Sequence, residues 1–174
     1  MDLHVRAAAC LALTFLLLEA CGAPASHRAA ASPAEHSRLH YTIPTVSGGP
    51  IDTMAHRGRA TVLLFVTTFD VLSQSQASRL EDFYRSHEPR INAAAVVMEP
   101  PRNWELVQSF AKVLALSYSV GMADHQELSR QGLLGEINTV PAWLVLDADG
   151  RVSASGVGTL SITQLKRAVT QAQR

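Results

Sequence analysis

Apolar residues fall along this chain in two kinds of block. Short unbroken runs at Thr61–Thr67 (TVLLFVT), Asn92–Met98 (NAAAVVM) and Ala142–Leu146 (AWLVL) predict strands buried on both faces. Elsewhere the apolar positions recur at helical spacing. Leu72, Ala77, Leu80 and Tyr84 form one such stretch. Trp104, Val107, Phe110 and Leu114 form a second, opened by Pro100-Pro101 and Asn103. A third buries Ile162, Leu165 and Val169 behind the capping box Ser161-Ile162-Thr163-Gln164. A short strand near Leu116–Val120 and a short helix near Asp124–Gln131 lie between the second and third stretches. At the front, Leu39–Val46 and Pro50–Asp52 flank the turn signal Ser47-Gly48-Gly49 and predict a β-hairpin, with Pro44 keeping the first strand at an edge. Asp147-Ala148-Asp149-Gly150 turns the last buried run into Arg151–Ser155. The order hairpin, βαβα, ββα predicts an α/β domain with a mixed central sheet sandwiched between helices.

The first residues obey a different pattern. A weakly basic start, Met1–Arg6, precedes the apolar run Ala7–Leu18, which is short for a membrane span and fits the apolar core of a signal peptide. It ends in Leu18-Glu19-Ala20-Cys21-Gly22, which resembles the lipobox of bacterial lipoproteins. Glu19 departs from that pattern, whose second position is small or apolar. The lipobox reading divides the chain into a signal peptide over 1–21, a flexible Ala/Ser/Pro tether over 22–38 and a folded domain over 39–174, with Cys21 lipidated and serving as the membrane anchor. The other reading is an ordinary secretory peptide cut after Ala23-Pro24-Ala25. Both readings place the domain outside the cytoplasm, with a diderm cell envelope favoured over free secretion, and both leave it without a free thiol, because Cys10 and Cys21 are the only cysteines. Gly22-Ala23 lacks the aspartate that retains enteric lipoproteins at the inner membrane, which favours the outer one. The 15 basic and 15 acidic residues balance, so the electrostatic footprint of a nucleic-acid binder is missing.

Gly58, Arg59, Phe65, Thr68 and Phe69 fall in register with the pattern G-K-x₅-F-W-A-T-W-C-x-x-C, Ile137–Asp147 matches V-P-x-x-x-x-x-D, and DADGRV at Asp147–Val152 matches a terminal hairpin. In these features the chain, from about Tyr41 onward, is similar to the thioredoxin superfamily, in particular its TlpA-like, envelope-anchored thiol–disulfide oxidoreductases. The resemblance implies a thioredoxin-like α/β/α sandwich with an N-terminal β-hairpin and a cis peptide before Pro141. It also implies a docking role for the backbone of Val140, which in that family pairs with an extended substrate segment. The alternative for Pro141 is that it only preserves the shape of its loop.

The register sets Asp70 and Ser73 on the two cysteine positions. A carboxylate and a hydroxyl cannot perform thiol–disulfide exchange, and the copper-delivering and peroxidatic variants of the fold also need cysteine. For Asp70, a helix N-cap is weighed above catalysis. Ser73 and Ser75 lack a hydrolase context. The histidines show no metal-ligand spacing, and His56 and His125 read as exposed loop residues. No metal or cofactor is expected. Trp104, Met98 and Met122 read as core; Trp143 is either buried in the sheet or an anchor at the edge of a peptide groove. The expected function is a redox-inactive protein-binding or scaffolding module. It would hold an extended segment of an envelope protein with Phe69, Val71, Leu72, Val140, Pro141 and Trp143. The alternatives are an oxidoreductase working with a cysteine-bearing partner or by non-thiol chemistry, and a structural spacer.

Overall fold

The computed structural model describes residues 38–129 and 137–174. The signal peptide, Cys10, Cys21, the tether up to residue 37, and Gln131 lie outside the described residues. The predicted runs become the centre of a six-stranded sheet of order β2-β6-β5-β4-β7-β8. Its strands are β2 (Thr45–Ser47), β4 (Thr61–Val66), β5 (Asn92–Val97), β6 (Ser119–Met122), β7 (Ala142–Leu146) and β8 (Val152–Val157). β4, β5 and β6 are parallel neighbours, while β7 runs antiparallel to β4, β8 to β7, and β2 to β6. Every residue of β4 is buried, as expected of a central strand covered on both faces.

The helices are α1 (Val71–His87), α2 (Trp104–Val113), α3 (His125–Leu128) and α4 (Ile162–Ala172). α1, α2 and α4 share one core with the sheet: Leu80, Phe83, Val107, Phe110, Leu165 and Val169 meet Val62, Leu64, Val66 and Val97. On the other face Leu63, Phe65, Ala94 and Val96 pack against Tyr41, Ile43 and Ile51, with Leu128 of α3 partly buried beside them. Alternate residues of β4 thus feed opposite cores, as the two-residue period of a strand requires. The capping box of α4 forms, with Ser161 Oγ accepting from Gln164 N–H.

Several elements differ from the sequence expectation. The hairpin is split at Pro44. β1 (Thr42–Ile43) pairs antiparallel with β3 (Ile51–Asp52) in a separate two-stranded sheet, while β2 leaves to join β6 at the sheet edge. Pro44 has no N–H to offer a ladder, but its carbonyl accepts from Met122 N–H at 3.2 Å at the crossover between the two sheets. β6 starts three residues later than predicted, because Ser117 and Tyr118 are spent on contacts with α1. β8 extends to Val157.

Two residues expected in the core are at the surface. Trp104 and Ile162 each sit in the first turn of a helix, where the chain has not yet come down onto the sheet. Arg38, assigned to the tether, bridges to Arg151, and Leu39 N–H donates to Gly150 O at 2.9 Å.

Candidate functional site

β4 delivers the chain to a tip, residues 67–73, before α1 begins. The backbone N–H groups of this tip are satisfied by side chains rather than by a ladder. Thr67 N–H donates to Ser73 Oγ (3.3 Å), and Thr68 N–H donates to Glu99 Oε1 (2.6 Å). Leu72 N–H and Ser73 N–H donate to the Asp70 carboxylate at 3.3 and 2.8 Å. Ser73 Oγ–H completes the loop by donating to Asp70 Oδ2 at 2.7 Å, and Gln74 Nε2 donates to Thr68 O at 2.7 Å.

Asp70 is therefore the N-cap of α1, with extended backbone angles and bonds to two of the orphan N–H groups of the first turn. The Ser73 hydroxyl and then the backbone bonds hold its carboxyl below the ordinary aspartate range. Ser73 is completely buried. As a hydroxyl donor already committed to Asp70, it is also poorly placed to attack anything in solvent.

Before and between these two polar residues the tip is apolar and bare. Phe69, Val71 and Leu72 are 76%, 74% and 55% exposed. Beside it lies the Val140–Pro141 loop: β4 pairs with β7 so that Phe65 faces Ala142, and the next residues of each strand end side by side. The Val140–Pro141 peptide is cis, as the resemblance implied, and so is Glu88–Pro89. Gly158 N–H donates to Pro141 O at 2.7 Å. Two residues on, Leu160 is clasped by Gln76 of α1, whose amide accepts from Leu160 N–H (2.9 Å) and donates to Leu160 O (3.2 Å). The cis-proline loop and the first turns of α1 are thus tied to one short segment.

Trp143 lies away from this tip. It is half-buried in β7 with its indole over Gly156, where a Cβ would come within 2.4 Å of the ring, so the sheet-packed position is the one it occupies. Of the expected binding residues, the fold brings together Phe69, Val71, Leu72, Val140 and Pro141, and sets Trp143 apart.

Sequence reasoning missed Glu99, and read Asn103 only as opening the second helix, not as Glu99's donor. Glu99 follows β5, is 2% exposed, and accepts from Thr68 Oγ1 (2.7 Å) and Asn103 Nδ2 (2.7 Å) as well as from Thr68 N–H. The available signal was an acidic residue abutting a buried apolar run. Also missed was a cleft of about 220 Å³ where Thr68 and Gln74 meet Leu106, Ser109, Phe110, Val113 and Leu114 of the α2 segment. Leu106 and Val113, seven residues apart, are 51% and 80% exposed, giving α2 a second apolar stripe outside the core.

The histidines divide. His125 is exposed, in the first turn of α3. His56 is half-buried, contrary to expectation, and burial depresses its pKa, with Asp52 opposing and Arg59 reinforcing the shift. Among the described residues, no three His, Cys, Asp or Glu side chains come close enough to hold a metal ion.

This frame is shared by solved structures. StoA from Bacillus subtilis is 21% identical, covering 76% of this chain and 97% of its own, with a TM-score of 0.62. A thiol:disulfide interchange protein of the thioredoxin family from Chlorobium tepidum is 25% identical, with coverage of 79% and 98% and a TM-score of 0.61. A secreted Mycobacterium tuberculosis disulfide oxidoreductase is 20% identical, with coverage of 76% and 96% and a TM-score of 0.59. No protein-family model matches the sequence, and no curated protein sequence matches it. The class defined by the sheet order, the capped helix after its central strand and the cis-proline loop is a mixed α/β sandwich. The chain has the fold of the thioredoxin superfamily.

Proposed function

We propose that this is an exported, thiol-free thioredoxin-like domain that binds an extended segment of another envelope protein on the face where relatives carry their cysteines. One observation carries the reading. The two cysteine positions hold a capping aspartate and a buried serine, while the residues between and before them present bare apolar surface beside a cis-proline loop. A helix cap requires no exposed phenylalanine, valine and leucine around it; a partner surface does. Pairing to the Val140 backbone would use main-chain hydrogen bonds, with side-chain contacts on the Phe69–Leu72 tip supplying selectivity.

Export and lipid attachment through Cys21 rest on the N-terminal pattern, and the secreted relative supports export. No described helix is long and apolar enough to cross a membrane. An outer-membrane address follows only from the residues after Cys21.

Photo-crosslinking from positions 69 and 72 in intact envelopes, with exposed Lys166 as control, tests the reading. A discrete partner captured at the first two positions and not at 166 is the expected result. Equal labelling at all three, or none, would leave the spacer reading. Disulfide reductase turnover by the purified protein above a protein-free control would favour the oxidoreductase reading.

A further inference from the structure

Glu99 joins the apolar tip to α2. Its Oε1 receives both the backbone N–H and the hydroxyl of Thr68, the residue directly before exposed Phe69. Its Oε2 receives Asn103 Nδ2, at the N-cap position of α2, and Asn103 spends its side chain there instead of on a helix N–H. The carboxylate is 2% exposed, and among the described residues it belongs to no ion pair. A buried carboxylate without a cation is costly unless its lone pairs are filled by donors, so the three donors and the carboxylate hold one another in place. No sheet hydrogen bond would hold Thr68 in its absence, because β4 ends at Val66.

We propose that Glu99 is a positioning residue: it locks the Phe69–Leu72 tip to the start of α2, so that the exposed tip and the α2 side of the neighbouring cleft are ordered before a partner arrives. The value of such a lock for binding rests on the proposed function above. Pre-ordering removes entropy that would otherwise be lost on association. The ordering itself is independent of any partner.

The test uses the full-length protein in micelles and amide hydrogen exchange resolved by residue. Glu99→Ala should speed exchange at Thr68 by about ten- to hundredfold, the range for lost bonds to a charged group, while Leu63–Val66 and Ala94–Val97 keep their protection. Glu99→Gln should restore protection. Its carbonyl oxygen still accepts from Thr68, and its NH₂ meets an Asn103 amide turned to present oxygen. If Glu99→Ala does not fold, Asn103→Ala and Thr68→Val cut the lock from either end and should each loosen the tip.

Unchanged exchange at Thr68, or a rise spread equally over β4 and β5, overturns the proposal. So does failure of Glu99→Gln to restore protection. Crosslinking from position 72 then reads the consequence, with yield expected to fall in Asn103→Ala and to persist in Glu99→Gln. Loosened exchange with undiminished yield would overturn the positioning role. Absence of any partner in the parent protein would count against the binding reading alone, because exchange judges the lock by itself.

Discussion

A carboxylate at a helix N-terminus is useful because the first N–H groups have no helical partner and the helix dipole favours negative charge there. Asp70 meets both conditions, and Ser73 strengthens the arrangement by donating to the carboxylate and accepting from Thr67 N–H. Protonation of Asp70 removes acceptor strength, and its folded pKa lies below the ordinary value. Its contribution is therefore complete above the unfolded aspartate pKa and is lost as pH falls through the lower folded one. Asp70→Ala should lower the melting temperature by a few degrees at neutral pH, with the difference from the parent shrinking below about pH 4. Thermal melts of both proteins across that range are the check; a difference independent of pH would mean that the charge contributes nothing.

At the scale of elements, one buried acid decides how α1 meets the sheet. Glu81 accepts from Ser117 N–H and Ser117 Oγ at 2.7 Å each and pairs with Arg85, fixing the lead-in to β6 against the helix. Burial pushes its pKa up, but these donors outweigh burial and hold it low. The stabilisation is present above the ordinary glutamate value and fades as pH falls through the folded one. Glu81→Ala should cost about 2–3 kcal/mol by denaturant unfolding at pH 7, as expected for bonds to a charged group, and Asp82→Ala on the exposed side should cost little. Equal losses would show that helix propensity and not this contact is being measured. This contact also explains the late start of β6. Nothing in the periodicity of Leu116–Val120 reveals that Ser117 is held by a residue 36 positions earlier.

For the molecule as a whole, a frame shared with solved disulfide oxidoreductases surrounds a tip that carries Asp70 and Ser73 and no sulfur. If the fold alone sets the chemistry, returning the cysteines should return the activity. The double variant Asp70→Cys, Ser73→Cys should form a disulfide and reduce insulin in the presence of dithiothreitol, while the parent does not exceed the rate with dithiothreitol alone. A folded double variant with no activity would show that the tip, packed for a carboxylate and a hydroxyl, no longer presents the first position correctly. Asp70 is partly accessible and Ser73 is not, the asymmetry required of an attacking and a resolving thiol.

The amino-acid sequence by itself determined the central strands, the four helices and the cap at Asp70. Each depends on local chemistry: an apolar run, a helical period, a capping side chain. The cis peptide before Pro141, and the placing of Asp70 and Ser73 on two cysteine positions, came with the family resemblance and not from local pattern. Tertiary structure alone decided that the N-terminal hairpin divides between two sheets at Pro44, that Trp104 faces solvent, and that Trp143 lies over Gly156. It likewise decided that Glu99 binds the tip to α2. These outcomes depend on which segments meet across the fold. Spacing along a helix shows which residues share a face, but not where that face runs past the edge of the sheet. A buried acid reads like a surface acid until its donors, drawn from two other segments, are in place.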